Sequence, residues 1–429
     1  ESEYEVIDNP EKADVIIVNT CSFVESAKEE SIEVILEMAK FDKFLVVAGC
    51  MSQRYSKDLE KEMPEVDLFI GTGEYHKIVE YLQKQTPSQI PTQKKLNKRS
   101  YVSTPTYIHN EKDKRLLATK SFTSWLKVSE GCDRHCSFCI IPKIRGNLRS
   151  RSVGSLVAEA KNLVQNGVRE LNLIAQDLSA YGDDVSKQSQ KKEKTSLTLL
   201  LNRLEEIEDL HWIRLLYFYP DNLNDEIIEI ISKSQKICHY LDIPIQHFSD
   251  HILKKMNRKI SSKKILENIL KIRNVLPDIV LRTSIIVGFP GEEEEHFEEL
   301  IDGIKKIKFN HLGVFKYSDE EGTAASKLKK KVAQEVIDYR YKKIYQIQKR
   351  ISRVLNKKYI GKELDVLIEG THEETDLLLQ GRFYGQAPDI DGKVIINDIA
   401  NNSTLLKSGD LVRIKIEDFH DYDLVGGIL

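Results

Sequence analysis

VSEGCDRHCSFCIIPKIRGNLRSR, residues 128–151, holds three cysteines, Cys132, Cys136 and Cys139, at C-x3-C-x2-C spacing. Thiols crowded this closely, in a 429-residue chain with only six cysteines, usually hold a metal. Three thiolates suit an iron–sulfur cube. The cube has four irons, so a tripod of cysteines leaves one iron open, as a catalytic cluster needs. A structural zinc asks for a fourth protein ligand. His135 is the nearby candidate, but it adjoins Cys136, so one loop would have to turn both inward. On these residues alone, zinc and a buried thiol patch stay open as alternatives.

Outward from this loop, strands and helices alternate. SWLKVS, ELNLIAQ, WIRLLYF, CHYLDIPI, VLRTSIIVGF and HLGVFKY read as strands, with amphipathic segments at 153–166, 197–206 and 261–275 between them. Six such units predict a (β/α)6 partial TIM barrel over residues 116–357, closed off by an amphipathic helix at 332–357 carrying Ile337, Tyr341, Ile344, Ile351 and Val354. Chemistry in such barrels gathers at the carboxyl ends of the strands. The cysteine loop follows the first strand, and Gln176, Asp177, Gln246, His247 and the turn Gly288–Pro290–Gly291 follow later ones. Glu292–Glu295 at a helix start mostly read as dipole compensation. His247 reads as a hydrogen-bonded residue of the barrel mouth, and Cys238 as inert core.

Upstream, residues 1–85 alternate again: VIIVNT, a helix at 23–40 with Ile32, Ile35, Leu36 and Ala39 on one face, then FLVVAGC, VDLFIGTGE and a helix at 75–82. This predicts a flavodoxin-like parallel sheet whose strand ends carry Cys21 and Cys50. As free cysteines, the two could equally be small core residues. Residues 86–115, with seven Lys/Arg against two Asp/Glu and three prolines, read as a linker, and 186–196 as a surface insertion. Downstream, ELDVLIEG, DLLLQGRFY, GKVIINDI, DLVRIKIEDF and YDLVGGIL predict a small β-barrel over residues 358–429. The fold class is therefore α/β with a C-terminal β-barrel.

Composition bounds the setting. Hydrophobic residues make up 41% and charged residues 31%, as in soluble globular proteins. No apolar run approaches a membrane span, and no signal peptide is visible. Reduced thiols fit the cytoplasm. The first residue is Glu1, so an upstream segment is expected. Net charge is −3, but residues 361–429 carry six Lys/Arg against fourteen Asp/Glu, a net of −8 that leaves +5 elsewhere. An acidic end matches a basic partner better than it matches phosphates. No Walker motif and no GxGxxG after a strand appears, so nucleotide hydrolysis and dinucleotide binding lack support.

The C-x3-C-x2-C spacing with Phe138 resembles the radical S-adenosylmethionine (SAM) superfamily. The resemblance implies that the open iron chelates SAM and that cluster reduction cleaves SAM to a 5′-deoxyadenosyl radical. NTCSFVESAKEESI and VAGCMSQRY resemble the N-terminal domain of the methylthiotransferases within that superfamily. That implies a second, auxiliary 4Fe–4S cluster held by Cys21, Cys50 and a cysteine upstream of this sequence. The cofactors expected from the resemblance are two 4Fe–4S clusters and SAM, with Gln176, Gln246, Gly288 and Glu292 lining the SAM pocket. No side chain is expected as a catalytic acid or base.

The C-terminal segment resembles a TRAM domain. NTCSFVESAKEES, LIAQD and GRFYGQAPDIDG most resemble the RimO branch, which modifies an aspartate β-carbon in the basic small-subunit ribosomal protein twelve. Expected partners are that protein, alone or on the ribosome, a reductant such as flavodoxin or ferredoxin, and a sulfur donor. A tRNA adenosine methylthiotransferase is the nearest alternative, disfavoured by the acidic C-terminal segment. A non-catalytic iron–sulfur or zinc protein is the second.

Overall fold

A computed structural model describes residues 4–85, 99–113, 115, 120–188, 195–398 and 406–429. Residues 86–98 and 114 of the basic stretch 86–115, and 189–194 of the insertion 186–196, lie outside the described residues. The chain divides into two compact units, one formed by Glu1–His109, Glu130–Leu148 and Ser318–Lys327, the other by Asn110–Ser129, Arg149–Tyr317 and Leu328–Leu429.

In the first unit, Val15–Thr20, Phe44–Gly49, Leu68–Ile70 and Ser100–Tyr101 lie side by side in that order, all parallel. Their β-branched and aromatic side chains bury against helices, with Ile35, Val47, Met51, Val66 and Phe69 at the centre of one face. The first helix, Glu25–Ala39, turns differently from its predicted face. Ser31 and Ile35 point inward, while Ile32 and Leu36 are exposed. Ser31 wins an inward place because its hydroxyl bonds Ala27 O at 2.7 Å and the backbone of Cys21. Cys50 is not the end of a strand, as FLVVAGC suggested, but the first residue of the helix Cys50–Glu62. The predicted helix at 75–82 begins as a 3-10 turn, Tyr75–Lys77, before the α-helix Ile78–Gln85.

In the second unit, Thr123–Lys127, Glu170–Ile174, Trp212–Leu215, Ile237–Asp242, Val280–Val287 and His311–Lys316 form an open six-stranded sheet in chain order, every pair parallel. This is the expected six-unit partial barrel. In the fifth strand Leu281, Thr283, Ile285 and Val287 are fully buried on one face. Arg282, Ser284 and Ile286 alternate with them and stay half-buried, so this strand turns a partly open face the other way. The helix Gln334–Asn356 packs on this sheet through Ile337 and Ile344, but its inner face also buries Arg340, Gln348 and Ser352, and Val354 is outside.

The last five strands close into a barrel in the order Glu363–His372, Thr375–Phe383, Val394–Asp398, Leu424–Ile428, Leu411–Phe419, around Val366, Ile368, Ile396, Ile414 and Ile416. The end of the strand Thr375–Phe383 and the segment after it bring polar groups to the larger sheet. Arg382 reaches Glu170 at the start of the second strand, which also binds Arg214 at 2.9 Å. Asp391 accepts from Tyr240 Oη at 2.7 Å. All five of these side chains are buried or nearly so.

Candidate functional site

The cysteine loop is a closed neck. The Cys132 N–H donates to Gly146 O at 3.1 Å, and the Leu148 N–H donates to Asp133 Oδ1 at 2.9 Å. Cys139 N–H turns back onto Cys136 O, and the short helix Ile141–Arg145 follows, with Pro142 in its first turn. Cys132 is buried, while Cys136 and Cys139 are partly exposed. The Arg134 N–H points at Cys132 Sγ from 3.4 Å, the kind of donor that favours a thiolate. The loop bears its three sulfurs as thiols, a donor chemistry that fits an iron–sulfur tripod. His135 is exposed. Among the described residues no group of three or more His, Cys, Asp or Glu is arranged to hold a metal ion. A cube makes a different demand, since its tripod places each sulfur on a separate iron.

Gly131 is what lets the neck close. Its φ is +81°, and an added Cβ would collide with the Asn147 carbonyl oxygen and stand 2.6 Å from that of Gly146. Backbone atoms cannot yield there as a flexible side chain would. Gly131→Ala should therefore open the neck, adding about 1–2 kcal/mol of backbone strain to the clash. The expected result is loss of the loop's iron and acid-labile sulfide with far-UV circular dichroism unchanged. Full iron retention in this variant would refute the role given to the neck.

The same unit brings Cys21 and Cys50 together. Gly49, at φ +117°, places the tip of the second strand against Thr20, where a Cβ would stand 2.5 Å from Thr20 O. Cys21 follows Thr20 and is exposed; Cys50 follows Gly49 and is buried. Burial pushes the Cys50 thiol up and nearby Cys21 adds to this, while the Arg145 guanidinium, whose Nη2 lies 3.2 Å from Cys50 Sγ, pulls it down. Tyr75, half-buried beside Arg145, is pushed up to about 12, chiefly by burial.

One element of this unit carried no sequence signal that we read as functional. The segment Ser318–Lys327 sits with the cysteine loop and the N-terminal sheet. Ala325 N–H donates to Ser137 O at 2.8 Å, and Lys143 Nζ donates to Gly322 O at 2.6 Å. Glu320, almost fully buried, binds Arg54 at 2.8 Å and Lys28 at 3.3 Å. The acidic pair Glu320–Glu321 beside Gly322 was the available clue, and it resembles any solvated turn.

In the second unit the residues expected at the SAM pocket stand at the carboxyl ends of the larger sheet. Gln246, at φ +69°, extends the fourth strand by a bridge to Ile285, its N–H bonding Ser284 O at 2.9 Å. A positive φ on a residue with a side chain is rare and marks an imposed conformation. Gln176 is partly exposed after the second strand. Gly288 turns at φ +80° under Ile337 of the long helix. Glu292 is buried and its carboxylate is engaged. It accepts from the Gly288 N–H at 3.0 Å and from Arg340 at 2.8 Å, with His247 Nε2 at 3.4 Å. Burial alone would raise this carboxyl, but His247, the Gly288 N–H and Arg340 together hold it below the usual range. Glu292 thus braces the turn that presents Gly288. Sequence reasoning missed Arg340, which lay on the presumed apolar face of its helix.

Comparison with known families matches residues 126–304 to the radical SAM superfamily, 1–71 to the uncharacterized protein family UPF0004 and 360–429 to the TRAM domain. A radical SAM methyltransferase of Kitasatospora setae is similar at a TM-score of 0.48, with 14% identity over 70% of this chain and 62% of that one. The ribosomal protein uS12 methylthiotransferase RimO of Citrifermentans bemidjiense is 46% identical over 436 residues, spanning 100% of this chain and 93% of that protein. Its namesake in Bdellovibrio bacteriovorus is 43% identical, over 99% and 92%. Similarity at this level, running unbroken through the sheet, the cysteine loop and the terminal barrel, establishes that the chain belongs to the RimO family of radical SAM methylthiotransferases.

Proposed function

We propose that this enzyme adds a methylthio group to the β-carbon of an aspartate in ribosomal protein uS12. The observation that carries the reading is similarity along the whole chain to proteins of that name, in a chain that carries the C-x3-C-x2-C loop together with Cys21 and Cys50. Cys132, Cys136 and Cys139 would hold the radical cluster, and Cys21 and Cys50, with a third cysteine upstream, the auxiliary one. When bound, these groups supply the radical from SAM, the sulfur and the methyl group, because such a C–H bond is too weakly acidic for a side-chain base. The chain's own residues position the groups. Gln176, Gln246 and the Gly288 turn would line the SAM pocket, with Glu292 acting through the turn it braces. The acidic terminal barrel suits a basic ribosomal protein, although Glu369 and Asp391, whose carboxylates are nearly covered, are spent on internal contacts.

A flavodoxin or ferredoxin would supply electrons and a separate donor the sulfur, in the cytoplasm, where thiols stay reduced. No helix among the described residues is long and apolar enough to cross a membrane. The test is anaerobic incubation of reconstituted enzyme with SAM and reductant, offering uS12 or tRNA. A methylthio mass increase on a uS12 aspartate, with 5′-deoxyadenosine, is the expected result. The increase on tRNA alone would overturn the substrate. No 5′-deoxyadenosine at all would favour a non-catalytic metalloprotein.

A further inference from the structure

Arg145 ends the helix Ile141–Arg145, which the cysteine loop carries, yet its guanidinium donates to a sulfur of the other set, Cys50 Sγ, at 3.2 Å. Its second arm lies 3.5 Å from Glu130 Oε2, which holds the fork in place. The helix is fixed over Cys50 by two further contacts. Ile140 and Ile144 bury against Cys50 in one apolar cluster, and Thr72 Oγ1 donates to Ile144 O at 2.8 Å. The approach of cation to thiol is therefore built into the fold of this unit and does not depend on a flexible side chain reaching outward.

We propose that Arg145 is a positioning residue for the auxiliary cluster. It donates a charged hydrogen bond to the thiolate by which Cys50 ligates that cluster, and so raises the cluster's reduction potential. The proposal rests on the auxiliary-cluster reading given above. Reduction adds negative charge to a cluster, and donors and cations beside its sulfurs stabilise the reduced form. A guanidinium can serve the sulfur with one arm and Glu130 with another, which an ammonium cannot match. Because the donor belongs to the loop that holds the radical cluster, ordering of that loop and the potential of the other cluster are coupled.

The test is redox titration of anaerobically reconstituted full-length enzyme, followed by electron paramagnetic resonance. SAM perturbs the signal of the cluster it binds, so the SAM-insensitive signal reports the auxiliary cluster. Arg145→Met should shift its reduced-to-oxidised ratio at a given potential about tenfold toward oxidised, about 59 mV for a one-electron couple. Arg145→Lys should shift it less, in the same direction, and decides the matter if the Met variant does not load. An unchanged midpoint at full iron content overturns the proposal and leaves the two-cluster reading intact. Wild-type protein with about four irons and only a SAM-sensitive signal overturns both.

Discussion

Cys136→Ala should abolish 5′-deoxyadenosine formation and remove about four of about eight irons from anaerobically reconstituted enzyme. In the proposed tripod Cys136 is the middle leg, and two thiolates would leave the cube with two irons lacking protein ligands. Nothing nearby replaces the lost sulfur at low cost: His135 is exposed, and Cys132 is already fixed by the neck hydrogen bond to Gly146. Cys238→Ala is the matched control. That thiol is buried in the base of the larger sheet and its ionisation is pushed up to about 11, chiefly by burial, so it is an inert apolar group. Its loss should cost roughly 1 kcal/mol of stability and no iron. Cys50→Ala should separate the two clusters, keeping SAM cleavage while ending methylthio transfer. Iron analysis and product chromatography decide all three. Full SAM cleavage by the Cys136 variant would end the tripod assignment.

These contrasts follow how legible each part was. The proposed tripod rests on local spacing, because three candidate ligands in eight residues need only one loop. The parallel sheets were legible for a related reason: strands buried on both faces read as apolar runs, and the six units are regular. Helix orientation was less so. Ile32 and Leu36 promised an inner face, but Ser31, tied by its hydroxyl to Ala27 O and Cys21, rotates the helix Glu25–Ala39. The same holds for Arg340, whose partner Glu292 is 48 residues away in an acidic run that mostly reads as dipole compensation. Arg145 could be read in sequence as part of the tripod loop, but its bond to Cys50 spans 95 residues. Pairings across such separations are produced by the fold, and no periodicity announces them.

The largest stability effect belongs to another pairing of this kind. Glu170→Gln should destabilise the second unit by about 3–5 kcal/mol, because it leaves the buried guanidinium of Arg214 without a counter-charge and that of Arg382 with Glu369 alone. In the wild type Glu170 Oε1 is 2.9 Å from Arg214 and Oε2 is 2.6 Å from Arg382 and 2.9 Å from Thr123 Oγ1. Burial would raise this carboxyl, but the two arginines outweigh it and hold it at about 2. Its folded pKa is depressed, so its contribution is complete above the unfolded value near 4.5 and is lost as pH falls toward about 2. Thermal unfolding at neutral pH should show a midpoint lower by roughly 10 °C in the variant. The gap between variant and wild type should close between pH 5 and pH 2. A variant within 1 kcal/mol of wild type at pH 7 would show that the network is dispensable. Arg382 lies in the terminal barrel and Glu170 in the larger sheet, so removing that barrel takes Arg382 from Glu170 and the Tyr384 carbonyl from Arg214. A truncation at residue 358 would then lose activity through the base of the sheet, whether or not the barrel meets the substrate. Glu170→Gln in the full chain separates the two effects, because it breaks the network and keeps the acidic surface.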